Sequence, residues 1–223
     1  GTKRKLTFGQ AAKDKKKKRV TRYRPGLGRF VGFPKQMRFT HKYCEEVNLV
    51  ADAVTFGSST FRANGMYDPN VSGVGHQPMY YDNMTSIYNH YVVLGSKITI
   101  IASQATLSAA YPIRAVLWNN DDNTVTGTMD AFCERPESVH ALVGGGPDSV
   151  VTLSSTYSAK KSFGPAPMAN SNLRGTIVTD PAEGHSYTIS ASTLGGASAQ
   201  TLKMLVSIEY YVVWFEPKDQ TVN

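Results

Sequence analysis

LKMLVSIEYYVVWF, residues 202–215, is the stretch on which the fold class turns. Met204, Val206, Ile208 and Tyr210 alternate with Leu205, Ser207, Glu209 and Tyr211. A period of two is the signature of a strand, whose successive side chains leave opposite faces of the sheet. One face is wholly apolar. The other is mixed and ends apolar, which suits a central strand with a core on one side and an interface on the other. At fourteen residues it is long for a strand, since most run to about five or six.

Working outward, seven more segments share its β-branched and aromatic character. The first starts at residue 37, with Phe39, Tyr43, Val47, Leu49 and Ala51 among polar neighbours. The others are 56–63, 91–101, 111–118, 138–143, 150–163 and 185–191. Clusters of Gly, Pro, Asn and Asp separate them, among them GMYDPNVSGVGHQP, NNDDNTVTG, FGPAPMANSN and DPAEG. Eight strands with long connections predict an all-β sandwich or barrel. The single helical candidate is 81–89, with Asp82 as its cap and Met84, Ile87 and Tyr88 on one face. No repeat of solenoid or propeller period is found.

The chain has 223 residues, 41% hydrophobic and 18% charged, enough to build a core and incompatible with disorder throughout. No run of eighteen apolar residues occurs, so no membrane-inserted helix is expected. No apolar stretch of a secretory signal follows the first basic residues of the chain as given. Cys44 and Cys133 are too few for a disulfide framework or a four-cysteine zinc site, and both are expected as buried thiols.

Charge divides the chain in two. Residues 1–43 hold 15 of the 24 Lys and Arg and a single acid, Asp14, for a net +14; residues 44–223 carry −7. We therefore read 1–43 as a basic N-terminal arm and 44–223 as the folded body. Residues 1–24 have few large apolar side chains, and 25–34, PGLGRFVGFP, reads as a linker. KRK at 3–5 and KKKKR at 15–19 form two clusters that also match a bipartite nuclear import signal. The candidate phosphate contacts are Lys3, Arg4, Lys5, Lys13, Lys15, Lys16, Lys17, Lys18, Arg19, Arg22, Arg24 and Arg29. Phe8, Tyr23, Phe30 and Phe33 are interleaved and suited to stacking on unpaired bases. A merely solvated tail is the plainer alternative, but charge this one-sided points to a polyanion partner.

The loops offer little chemistry. Asp68, His76 and Asp82 could be grouped as metal ligands or His76 taken as a base, but no second His or Cys stands at ligand spacing. We read them as structural loop residues, with His76 hydrogen-bonded to backbone. His90 is expected as half-buried packing. Ser96 lacks a G-x-S-x-G elbow, Asp121 and Asp122 lack EF-hand spacing, and the glycines 144–146 are not followed by GK[ST]. No catalytic residue, metal or cofactor is predicted.

FRANGMYDPN at 61–70, GVGHQPMYYDNM at 73–84 and YNHYVVLGSKITI at 88–100 follow one another closely. With ERPESVHALV at 134–143, VVTLSSTYSAKKSFG at 150–164 and IEYYVVWFEP at 208–217, the chain resembles the capsid proteins of circular, Rep-encoding single-stranded DNA viruses, the circovirus-like group. The resemblance implies a single eight-stranded jelly roll of two four-stranded antiparallel sheets. It also implies import into the host nucleus and packaging of circular single-stranded DNA on a basic N-terminus facing the lumen. The expected product is a non-enzymatic capsid protein that self-assembles into a T=1 icosahedral shell of about sixty copies. Its expected partners are other copies of itself, single-stranded nucleic acid, a nuclear import receptor and a host glycan or cell-surface receptor bound by the outer loops. Its expected locations are the virion and the host nucleus. The capsid of a small RNA virus and a cellular nucleic-acid-binding β-barrel protein are the alternative readings.

Overall fold

A computed structural model describes residues 32–52, 54–105, 111–121, 123–145, 149–195 and 198–219. The strands are β1 (Gln36–Ala51), β2 (Gly57–Arg62), β3 (Tyr88–Gln104), β4 (Ile113–Asn120), β5 (Val139–Val143), β6 (Val151–Ser158), β7 (Gly175–Thr176), β8 (Ser186–Thr193) and β9 (Gln200–Pro217). Three one-turn helices join them: α1 (Tyr81–Thr85), α2 (Met129–Cys133) and α3 (Ala159–Phe163).

All pairings are antiparallel. One sheet runs β1-β9-β3-β6, with the two-residue β7 added on β3; the other runs β2-β8-β4-β5. The first and last long strands are neighbours, and the chain passes back and forth between the sheets. That winding is the jelly roll, two four-stranded sheets face to face. Each of the eight strand segments read from the sequence overlaps one of its eight long strands.

β9 holds the first sheet together. It pairs with β1 over sixteen residues, from Gln36 opposite Phe215 to Ala51 opposite Gln200. Its other edge pairs with β3, where Leu94 forms a bulge between Val93 and Gly95. Met204, Val206, Ile208, Tyr210, Val212 and Trp214 point into the core, and Leu205 and Tyr211 are exposed at 44% and 46%. The central strand thus has the one dry face and one open face that its alternation predicts.

In the second sheet β8 is buried throughout and β4 has buried residues on both faces, while β5 at the edge is largely exposed. Ile113, Ala115 and Leu117 of β4 face the main core, while Val116 and Trp118 form a separate cluster with Met129 and Phe132 of the α2 segment. The Arg135 guanidinium lies 4.0 Å over the Trp118 ring. Long loops are tied to the core by phenols: Tyr210 donates to the carbonyl of Arg62 (2.8 Å), Tyr88 to Pro34 (2.9 Å) and Tyr81 to Thr176 (3.0 Å). Burial pushes all three phenols above their usual range.

Several sequence readings need correction. β1 starts at Gln36, so residues 36–43, assigned to the arm, are the first half of a strand. The charge boundary overlapped the strand read from residue 37: within it, Tyr43 and His41 are buried between exposed Thr40, Lys42 and Cys44. The same phase puts Cys44 outside, and Cys133 is only partly buried, so the thiols are free but not both hidden. The helix at 81–89 stops at Thr85, because Tyr88 already pairs with Pro217 in the sheet. Its N-cap is Tyr80, at φ 66°, and Asp82 lies in the first turn instead of capping it. The segment 150–163 is strand only to Ser158, and its remainder is α3.

A truncation checks the new boundary. A chain starting at Gly32 retains all of β1 and should melt cooperatively, as the full chain does. One starting at Cys44 loses the pairings Gln36–Phe215 to Tyr43–Ile208. It uncovers half of an edge of β9 and should be insoluble or melt many degrees lower. Equal melting of the two in calorimetry would overturn the boundary.

Candidate functional site

The arm cations from Lys3 to Arg29, and Phe8, Tyr23 and Phe30, lie outside the described residues. What the structure describes is the end of the sandwich at which the chain enters β1. There Pro34 is held by Tyr88, and Lys35 and Arg38 are exposed. Gln36 faces Phe215 across the β1–β9 ladder. The Phe215 ring is stacked on His90, with centroids 5.8 Å apart and planes at 27°. The Arg174 guanidinium is 5.6 Å from the same ring, and His90 Nε2 is 3.1 Å from a carboxylate oxygen of Glu216. His90 is half-buried packing, as read. Arg174 and Phe215 were missed: the first falls between the segments read from the sequence, and the second was counted only as strand.

Among the described residues the outer face of the first sheet is buried at one end, where Val92 and Val213 are paired and 0% and 4% exposed, and open along Lys42, Leu205 and Ile101. Its residues form cross-strand rows. Lys42, Glu209 and Lys97 make one row, with the Lys42–Glu209 ion pair at 2.9 Å. Glu46, Leu205 and Ile101 make another, in which Leu205 and Ile101 are direct partners, each 44% exposed. Two paired, half-exposed aliphatic side chains on a sheet centre are the sort of surface that a neighbouring subunit dries.

The loop residues Asp68, His76 and Asp82 lie apart from one another. His76 is exposed and stacks on the Tyr43 ring (4.7 Å, 29°) instead of binding backbone through its imidazole. Tyr43 donates to Glu45 Oε2, which also accepts from Asn70 Nδ2 at 2.9 Å. The Asp68 carbonyl accepts from Arg62 Nε at 3.0 Å, and the Asp82 carbonyl accepts from Thr85 Oγ1 at 2.9 Å. Asp68, His76 and Asp82 do not converge; among the described residues no group of three or more His, Cys, Asp or Glu is placed to hold a metal ion. Ser96 donates to the Ala63 carbonyl at 2.6 Å in the core, a packing role.

Sequence reading missed a charged anchor beneath these loops. Arg62, at the end of β2, pairs with Asp180 at 2.9 Å, with side chains 25% and 13% exposed. Asp180 also accepts from the Tyr67 N–H (3.0 Å) and the Tyr91 hydroxyl (3.3 Å). Burial pushes its carboxyl up, against the pull of Arg62. DPAEG reads in sequence as a spacer, and nothing in it signals a partner on β2.

His41 is held neutral by geometry. Its Nδ1 is 2.9 Å from the Met79 carbonyl, and its Nε2 accepts from Trp214 Nε1 at 3.0 Å. The ring thus donates through Nδ1 and has no free nitrogen for a second proton. Burial lowers its pKa below 6.5, and His185 is lowered for the same reason. Below pH 6.5 the unfolded chain therefore binds more protons than the folded one. Stability should be flat above neutrality and fall as pH drops through about 6.5, by at most about 1.4 kcal/mol per pH unit for each histidine. Urea midpoints at pH 7.5 and 5.5 check this, and His41→Gln should reduce the difference. An unchanged midpoint at pH 5.5 would refute it.

No family model and no curated protein matches the sequence. Solved structures with a similar chain path include that of Desmodium yellow mottle tymovirus, at 14% identity and TM-score 0.43, covering 86% of this chain and 94% of that one. A turnip yellow mosaic virus structure matches at 13% identity and TM-score 0.45, covering 85% and 99%. The T=1 subviral particle of a Penaeus vannamei nodavirus capsid protein deletion mutant matches at 9% identity and TM-score 0.46, covering 82% and 98%.

Proposed function

We propose that the chain is a viral capsid protein. Its jelly roll would form a closed icosahedral shell of about sixty copies, the simplest assembly for one small subunit. Its lysine-rich arm would package circular single-stranded DNA and carry the nuclear import signal. The observation that supports this best is the segregation of charge: +14 on residues 1–43 and −7 on the rest. A cationic tether on an acidic body draws nucleic acid to one side of a shell and keeps it off the other. The exposed Leu205–Ile101 pair on the outer face of the first sheet supplies apolar contact area for neighbours. The role is structural, not catalytic.

Lysine meets phosphate as a point charge and does not read base edges, so packaging would be weakly sequence-selective. The circovirus-like motifs between residues 61 and 100 favour DNA as the packaged polymer. The test is electron microscopy and sedimentation of the purified full chain, followed by nuclease digestion of its contents. Closed particles whose nucleic acid resists ribonuclease and yields to deoxyribonuclease after opening are expected. Ribonuclease-sensitive contents would make it an RNA-virus capsid, and a stable monomer would make it a cellular binding protein.

A further inference from the structure

Two depressions adjoin on the open face of the first sheet and share the bulged residue Leu94. The first, about 370 Å³, is lined by Arg38, Phe39, Thr40, Leu94, Tyr211 and Val212. The second, about 390 Å³, is lined by Leu94, Lys160, Pro165, Ala166, Pro167 and Met168. Each lies within the usual size range of a small-ligand site, which begins at about 300 Å³. Leu94 is the extra residue of the β3 bulge and lines both depressions. Next to it, a Cβ on Gly95 would come within 3.0 Å of the Tyr157 carbonyl oxygen, so the backbone there packs closely against β6.

We propose that these depressions form one groove that binds single-stranded nucleic acid on the body of the protein, separately from the arm. This rests on the packaging function proposed above. The floor is apolar and aromatic: Tyr211 is 46% exposed, and its hydroxyl donates to Glu209 Oε2 at 3.4 Å, a carboxylate already paired with Lys42. The rim is cationic, with Arg38 on one side and Lys160 on the other, both exposed. Among the described residues neither forms an ion pair. Arg174 extends the path: it reaches the Met168 carbonyl at 3.4 Å and lies beside Phe215, which His90 stacks. Stacking surface interleaved with unpaired cations is the pattern of sequence-tolerant single-strand binding.

Charge and connectivity select this occupant. A polycationic arm would be repelled by the rim, whereas a phosphate backbone is attracted to it. Arg38 is the third residue of β1, the strand that the arm leads into along the chain.

The test uses the full chain and a fluorescein-labelled twenty-residue oligothymidylate, with ultraviolet crosslinking on the unaltered protein and salt titration of variants. Crosslinks should map to peptides containing Tyr211, His90 or Phe215. Tyr211→Thr should weaken binding about tenfold, the order expected for one lost base stack, while Tyr211→Phe should bind as the parent does. Arg38→Gln with Lys160→Gln should make the log–log salt slope shallower by about 1.4, for two phosphates released. Crosslinks confined to residues 1–35, with groove variants that bind and respond to salt as the parent does, would remove the groove and leave packaging by the arm intact. A parent chain that fails to bind the oligonucleotide at all would overturn both. A crosslink joining two protein chains through Tyr211 would instead assign this face to subunit contact and overturn the groove.

Discussion

Trp214→Ala is expected to lower the unfolding free energy by about 3–5 kcal/mol, the range for truncating a large aromatic side chain in a core. Trp214 lies in the central strand, fully buried, with ring centroids 5.2 Å from Tyr91 and 5.7 Å from both Tyr81 and His41. The truncation opens a cavity where β1, β3 and β9 meet under α1. It also removes the donor that His41 Nε2 accepts. Trp214→Phe separates the two effects, because it keeps most of the apolar volume and loses the hydrogen bond. It should cost about 1–2 kcal/mol from the unmet acceptor, with some packing loss besides. Urea unfolding followed by far-ultraviolet circular dichroism measures both. An Ala variant within 1 kcal/mol of the parent would mean that this junction is not the packed centre described here.

The second large effect is on nucleic acid. Replacing Lys15, Lys16, Lys17, Lys18 and Arg19 by Ala removes five of the twelve candidate phosphate contacts between Lys3 and Arg29. Each contact with a single strand contributes about −0.7 to the slope of log affinity against log salt. If all twelve engage, affinity should fall by about five decades between 50 and 200 mM salt, and by about three decades in the variant. The body is untouched, so thermal unfolding should not move. Titration of labelled single-stranded DNA at several salt concentrations gives both slopes. A parent slope near zero would show that binding is not by counterion release and would sink electrostatic packaging. The same substitution in a fluorescent fusion of the arm should shift it from nucleus to cytoplasm. Continued nuclear accumulation would mean that Lys3, Arg4 and Lys5 suffice for import.

The groove bears on both effects. It lies on the open face of β9, at the end of the strand where Trp214 anchors the dry face. A variant that loosens that junction should therefore disturb single-strand binding by the body as well as stability, while one in the arm should disturb binding alone.

The strand positions were legible because alternation is a local signal. In 202–215 it names the two faces of the strand, and the burial of β9 follows it from Leu202 to Val212; beyond that Val213 is buried as well, at 4% exposed, on the face that alternation assigns to the outside. The charge asymmetry is likewise a property of composition. What failed in the reading failed for local reasons too. The strand from residue 37 and the cations up to Lys42 overlap in sequence, and a boundary drawn by charge made the arm too long. Asp82 looked like a cap because cap residues are recognised by type, whereas the backbone turned at Tyr80.

From the sequence by itself follow the all-β class, the eight strand segments and a polycationic arm on an acidic body, since each depends only on which residues adjoin along the chain. Tertiary structure decided the rest. It set the order of strands in the two sheets, laid α2 over Val116 and Trp118 of one, and left the outer face of the other open at Leu205 and Ile101. It brought Arg62 to Asp180 and His41 to Trp214, and placed Lys160 across Leu94 from Tyr211. Those juxtapositions join residues far apart in sequence, and no local pattern encodes them. They are selected only when two sheets bury their apolar faces against each other and every strand must take the register that buries its own.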